Sequence, residues 1–197
     1  HIPVVPNGIF VERYTHSNEQ LELGEAALIF TGTMDYRPNV DAMLWFVNHV
    51  LPKIQERVPE TQLYIVGQKP HARLSALRDR GGVYITGRVP TVQPYLHNAS
   101  VYVAPLRMGG GTRLKILEAM AAGCAVVTTN IGASGLQGDT QRALVIADTA
   151  TEIAYAVVRL LEDPQRRHEL GEAARKYVTA YYDWSAIIPQ LLAIYSH

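Results

Sequence analysis

Six short apolar runs separated by helix-length connections constrain this sequence more than any other feature. They fall at residues 26–32 (AALIFTG), 62–67 (QLYIVG), 83–87 (VYITG), 101–105 (VYVAP), 125–129 (AVVTT) and 143–146 (ALVI). A strand that is apolar on both faces has to be covered on both faces, and helix-length crossovers between such strands supply the cover while keeping the strands parallel. The first connection carries a helical stripe of Val40, Met43, Leu44, Val47, Val50, Leu51 and Ile54. Shorter helices are expected at residues 71–80, 91–97 and 111–122. The fold class read from this pattern is α/β: a doubly wound, six-stranded, mainly parallel sheet with helices on both faces.

The two ends break the alternation. Residues 151–162, 165–180 and 184–195 read as three extra C-terminal helices with no strand between them; Thr149 with Glu152 fits a capping box, and Asp163 before Pro164 fits a cap followed by a first-turn proline. Residues 1–25 have no period, because Pro3, Pro6, Asn7 and Gly8 interrupt it and Glu19, Glu22 and Glu25 surround isolated leucines. They read as a linker or arm, with the domain proper at 26–183. The opening HIPVVPNGIF has no initiator Met, no basic stretch and no long apolar run, so further sequence is expected before His1.

Composition removes several function classes. Lys plus Arg and Asp plus Glu both number 18, which argues against a polyanion-binding surface and so against nucleic acid as a partner. A single cysteine, Cys124, allows no intramolecular disulfide framework, and no apolar run reaches the roughly 20 residues that cross a bilayer. A soluble, cytoplasmic chain is expected. The seven histidines are scattered, and His49, His71, His97 and His168 are read as having no second ligand at helical spacing, so no metal site is read. Cys124 reads as core, as do Trp45, Phe46, Tyr182 and Trp184.

Ligands of an open parallel sheet bind beyond the carboxyl ends of its strands. Of the four turns at those ends, GTMDYRPN from Gly32, GQKP from Gly67, GRVP from Gly87 and PLRMGGGTRLK from Pro105, the last is the most informative. Gly109, Gly110 and Gly111 allow close backbone approach, and a helix is expected to begin at once with Thr112, Arg113, Leu114 and Lys115. Cations in a first helical turn oppose the helix dipole by roughly 0.3–1 kcal/mol each, a conflict that an anionic ligand offsets. With Arg107 just upstream, a diphosphate is the ligand the pattern suggests; the alternative is solvated surface cations beside an ordinary glycine loop. Neither a Gly-Lys-Ser/Thr phosphate loop nor a Gly-x-Gly-x-x-Gly after the first strand is present. Glu118 interrupts an otherwise apolar helix and needs a partner, for which ribose hydroxyls are suited and water or a lysine is the plainer choice.

Taken together, VVPNGI at the start, FTGTMDYRPNVDAMLWFVNHVLP, LKILEAMAAGCAVVTT and YYDWS near the end resemble the carboxy-terminal domain of the family 4 retaining glycosyltransferases, whose GT-B architecture sets two Rossmann-like domains face to face. The resemblance covers most of the chain. It implies transfer of a sugar from a nucleotide diphosphate sugar, with no cofactor besides that substrate and no metal, the donor lying mostly on this half. It implies residues 1–25 as an interdomain linker, 184–197 as a crossover helix, and an amino-terminal acceptor-binding domain as partner, with membrane docking of the whole protein left open. Glu118 falls on the second Glu of the family's Glu-x7-Glu motif, which binds the ribose. Thr112, Arg113 and Leu114 fall on the stretch that holds the distal phosphate, and Arg88 and Val89 on the segment beside the base.

Departures from the family pattern bear on the same site. Gly110 stands where the first Glu of the motif faces the donor sugar, so that contact is not carried over. The family's basic pair after the first strand corresponds to Thr33 and Pro38, and Arg37, Arg113 and Lys115 are the cations available to replace it. Arg113 and Lys115 are therefore read as stabilising the leaving diphosphate, with Gly32, Arg37, Gly110 and Gly111 completing the donor site. The absence of any Asp-x-Asp supports a metal-independent reaction. The other readings are a GT-B epimerase or phosphorylase-like domain, or a non-catalytic module binding a nucleotide or a partner.

Overall fold

The computed structural model describes residues 5–17 and 19–195. Of the expected linker, residues 1–4 and 18 lie outside the described residues, as do 196–197 of the expected final helix. Six strands, β1 (Ala27–Thr31), β2 (Gln62–Val66), β3 (Val83–Gly87), β4 (Val101–Ala104), β5 (Ala125–Thr128) and β6 (Val145–Ile146), form one sheet in the order β3-β2-β1-β4-β5-β6. Every neighbouring pair is parallel. This is the doubly wound order in which the chain works outwards from β1 in one direction and then outwards from β4 in the other.

The two-sided apolar strands do what their composition requires. Leu28 and Phe30 of β1, Val101 and Val103 of β4, and Ala125 and Val127 of β5 face one layer of helices, while Ile29, Tyr102, Ala104 and Val126 face the other. The first layer is α1 (Arg37–Trp45), α2 (Leu51–Gln55) and α7 (Ala150–Glu162). The second is α4 (Gln93–Asn98), α5 (Leu114–Ala121) and α8 (Pro164–Tyr182). The expected single helix over the 40–54 stripe is divided: Pro52 lacks an N–H and crowds the carbonyl four residues back, and the helix widens by one turn of π geometry at Phe46–Val50, where the Leu51 N–H bonds Phe46 O.

Other boundaries follow from local chemistry. The 71–80 helix shrinks to α3 (Ala72–Ser75), because the chain then tightens into turns with three-residue bonds from Leu77 to Leu74, Arg78 to Ser75 and Arg80 to Leu77. A one-turn helix the sequence did not signal, α6 (Asn130–Ala133), follows β5, capped by the Thr129 hydroxyl accepting from Gly132. The reciprocal capping box of Thr149 and Glu152 opens α7, and Asp163 accepts from the Arg166 N–H to open α8. The expected terminal helix is α9 (Trp184–Tyr195).

The irregular amino-terminal segment is docked. Ile9 pairs with Asp183 as a parallel bridge, its N–H bonding Tyr182 O at 2.8 Å and its carbonyl accepting from the Trp184 N–H at 3.1 Å. Ile9 and Val11 are buried in the α5/α8 layer, and a tight turn at Val11–Tyr14 carries the chain across α5. No helix among the described residues is long and apolar enough to cross a membrane.

Candidate functional site at the switch point

The order of strands reverses between β1 and β4, whose connections leave in opposite directions and open a crevice beyond their carboxyl ends. A cleft of about 710 Å³ lies there, lined among others by Gly32, Asn39, Leu106, Arg113, Lys115 and Glu118. β1 and β4 are tied together by Thr31 and the buried Tyr102, whose hydroxyls lie 2.9 Å apart across the two strands.

Close packing of turns brings the walls together. A Cβ at Gly67 would sit 1.7 Å from the Gly32 carbonyl oxygen, so the turn after β2 can press on the turn after β1 only with glycine there. Gly32 in turn faces the Lys115 ammonium, which a Cβ would approach to 2.7 Å.

Helix α5 begins at Leu114, three residues later than the sequence suggests. The positive φ of Gly109 and Gly111 (106° and 79°) keeps the loop out of helical geometry, and Arg113 is the extended N-cap residue. Lys115 is therefore the cation inside the first turn of the helix, with Arg113 at its cap. Its ammonium donates to Asn39 Oδ1 at 2.5 Å and sits 4.6 Å from the Phe30 ring centroid. Burial, and next the charge of Arg113, pull its pKa down to about 8, with Glu118 acting in the opposite sense.

Arg113 donates through Nη1 to Gly110 O at 2.6 Å, while its Nε and Nη2 are buried and, among the described residues, without a hydrogen-bond partner. Those two nitrogens form the side-on edge of the guanidinium. In Arg107 the same edge holds the Asp41 carboxylate, at 3.0 Å from Nε and 2.8 Å from Nη2. Two buried cationic donors left unpaired are costly, at roughly 1–3 kcal/mol or more each, and an oxyanion seated side-on would satisfy both.

Glu118, one turn further along α5, accepts at Oε1 from the Tyr14 hydroxyl at 3.0 Å. Lys115 and Glu118 are three apart on one helix, a spacing that favours pairing, yet no ion pair joins them among the described residues. Asn39 engages one and Tyr14 the other. Burial, followed by the charge and hydrogen bond of Glu118, pushes the Tyr14 phenol well above its usual range, so it stays a donor.

The structure thus gathers Gly32, Arg113, Leu114, Lys115 and Glu118 around one cleft. Gly110 and Gly111 are exposed in the loop that precedes α5, and the Thr112 hydroxyl donates to Gly135 O at 3.3 Å. Arg37 is exposed at the first position of α1. Arg88 and Val89 follow β3 at the far edge of the sheet, Arg88 exposed and Val89 packed on the α5 layer, and neither lines this cleft. Arg107, added to the diphosphate cluster on sequence grounds, is engaged with Asp41 and lies 5.2 Å from the Trp45 ring centroid. Asn39 and Tyr14 were not legible as site residues: one follows a proline at the start of α1 and the other stands alone in irregular sequence. Among the described residues no group of three or more His, Cys, Asp or Glu side chains is arranged to hold a metal.

Comparison with known proteins agrees with this architecture. The chain is 30% identical over 209 residues to glycogen synthase of Mycobacterium tuberculosis, covering 98% of this chain and 48% of that protein. It is 35% identical over 153 residues to a phosphatidyl-myo-inositol mannosyltransferase of Mycolicibacterium smegmatis, covering 74% of this chain and 39% of that protein. The chain therefore spans half the length of these relatives or less. Among solved structures, Anabaena HepE in complex with UDP superposes with a TM-score of 0.78 at 15% identity, over 98% of this chain and 57% of that one. Sucrose-phosphate synthase from Thermosynechococcus elongatus gives 0.74 at 22% identity, over 98% and 51%. The sequence profile described as Glycosyl transferases group 1 matches residues 25–163, and the chain belongs to that family.

Proposed function

We propose that this chain is the donor-binding, carboxy-terminal half of a retaining, metal-independent GT-B glycosyltransferase, and that its cleft clamps the diphosphate and ribose of a nucleotide sugar. The observation that carries the reading is the convergence on one helix, at the switch point, of a buried ammonium, an unpaired side-on guanidinium edge and a carboxylate. The helix N-terminus adds the N–H groups of Leu114 and Lys115, which precede the first bonds back to Arg113 O, made by Ile116 and Leu117. HepE, solved with UDP and with UDP-glucose, supports a nucleotide-sugar ligand for a sheet of this kind.

In this reading the chemistry lies in the leaving group. As the sugar–phosphate bond lengthens, negative charge accumulates on the departing diphosphate. Lys115, Arg113 and the α5 N-terminus are positioned before the reaction to receive it, which is the form of stabilisation that contributes most when fixed dipoles and charges replace water. Glu118 holds the ribose and fixes the register of the phosphates. The acceptor site belongs to an amino-terminal half, for which the apolar outer side of α9, with Ile188, Leu191, Ile194 and Tyr195 exposed, offers a contact surface. The reaction is placed in the cytoplasm, with any peripheral membrane docking a property of that other half.

Calorimetric titration of this chain with UDP, GDP and ADP and their sugars tests the proposal. Binding of at least one series without turnover is expected, with affinity reduced about tenfold or more, some 1.4 kcal/mol, in an Arg113→Ala, Lys115→Ala double variant. Unchanged affinity in the double variant would overturn the clamp.

A further inference from the structure

We infer that Tyr14 is a positioning residue for ribose recognition: it holds the Glu118 carboxylate in the orientation that reads a ribose diol and so sets the preference for ribonucleotides over their deoxy counterparts. The inference rests on the proposed role of Glu118 and extends it to a residue 104 positions away in sequence.

An ionised carboxylate turns easily about its last torsion and has about four acceptor positions. Left alone on α5, the Glu118 carboxylate would be drawn to Lys115, its neighbour at i−3. It would then neutralise the cation meant for phosphate and aim its lone pairs away from the ribose. The Tyr14 hydroxyl prevents this by occupying one position on Oε1, and among the described residues no hydrogen bond to Oε2 is made. The remaining acceptor positions are left for two adjacent hydroxyls.

The placement of Tyr14 is over-determined, as a positioning role requires. Its carbonyl accepts from His97 Nε2 at 2.8 Å, and the preceding Arg13 carbonyl accepts from Gln93 Nε2 at 3.3 Å, so two side chains of α4 grip the turn. At the other end of the turn, the Val11 N–H donates to Asp183 Oδ2 at 3.1 Å. The ring packs against the buried α5/α8 layer. Tyr14 therefore reaches Glu118 from a fixed base.

The test is a ratio of affinities. Dissociation constants are measured by calorimetry for the nucleoside diphosphate that binds this chain and for its 2′,3′-dideoxy analogue, in the wild type, Tyr14→Phe and Glu118→Gln. Tyr14→Phe is expected to lower the ribo-to-dideoxy affinity ratio by about 3- to 10-fold, the range of a single hydrogen bond of ordinary net strength. A role confined to folding or to the phosphates would weaken both ligands equally and leave the ratio where it was, which would overturn the inference. Tighter ribonucleotide binding in Tyr14→Phe would overturn it too, because the hydroxyl would then be occupying the place of the ribose. Glu118→Gln separates the two levels: if it leaves the ratio unchanged, the ribose role of Glu118 fails and the Tyr14 inference with it. If Glu118→Gln lowers the ratio and Tyr14→Phe does not, only the inference fails. Absence of binding by UDP, GDP and ADP would overturn both.

Discussion

The Lys115 ammonium on α5 reaches across the cleft to Asn39 Oδ1, and Asn39 Nδ2 passes the connection on to Thr33 O at 2.9 Å. A cation on α5 is thereby tied to α1 and the turn before it, with no carboxylate bonded to it among the described residues, and this has a consequence for stability. Its folded pKa, about 8, lies below the ordinary 10.5, so between those values the unfolded chain binds the extra proton. Stability of the ligand-free chain accordingly rises with pH across that window. Below pH 8 the full penalty of burying the charge is present. Lys115→Met removes it, so thermal unfolding is expected to show the variant more stable than wild type at pH 7 and the gap shrinking as pH climbs towards 10. A gap that does not change with pH would contradict this assignment.

Gly67 is a position where one added carbon is expected to be costly. The clash is with the backbone oxygen of Gly32, which has no rotamer by which to move aside, so Gly67→Ala has to separate the turns after β1 and β2. A loss of about 3 kcal/mol or more is expected in urea denaturation, at the upper end of overpacking effects. Gly81→Ala is the control, since nothing lies within 4 Å of its added carbon; a change within about 0.5 kcal/mol is expected there.

Arg175 of α8 closes the carboxy-terminal end of α5. Its Nε donates to Ala121 O at 3.0 Å and its Nη2 to Ala122 O at 2.8 Å, where the last carbonyls of α5 concentrate negative partial charge. Arg175→Ala is expected to lower stability by about 1–2 kcal/mol, from two lost charge-assisted bonds on a partly buried group. Arg175→Lys should recover less than half, because a point charge cannot bridge two carbonyls in one plane. Chemical denaturation of the three proteins checks this, and an alanine variant as stable as wild type would refute it.

Much of the sheet is legible in the sequence itself. β2 and β3 lie where continuous apolar runs bounded by glycine put them, and Thr149 with Glu152 marked the start of α7 to within one residue, since a capping box is a purely local device. Helix α5 was misplaced at its start because three glycines before a helical pattern do not reveal which of them take positive φ. Pro52 was visible, but the way its missing N–H is absorbed, by a widened turn rather than a break, depends on the packing of Phe46, Val47 and Val50 against the sheet.

Within the site, Lys115 and Glu118 were legible because a charge on an apolar helix demands explanation. Their partners were not. Asn39 is 76 residues from Lys115, and Tyr14 lies 104 residues from Glu118 in a segment with no periodicity. Arg107 shows the converse. It looked like part of a cationic cluster, and a bidentate hold on Asp41, 66 residues away, decided where it points. Contacts at such separations are set by topology, which sequence spacing does not report.

The bridge between Ile9 and Asp183 also gives the domain a mechanical property. The two segments run parallel, so a pull on the chain before Ile9 and after Trp184 loads their bonds in shear. The bonds from the Ile9 N–H to Tyr182 O, from the Trp184 N–H to Ile9 O and from the Val11 N–H to Asp183 Oδ2 share that force side by side instead of parting one at a time. Tension between flanking segments is thus met at the clamp before it reaches the strands, and the crevice between β1 and β4 is shielded from that strain.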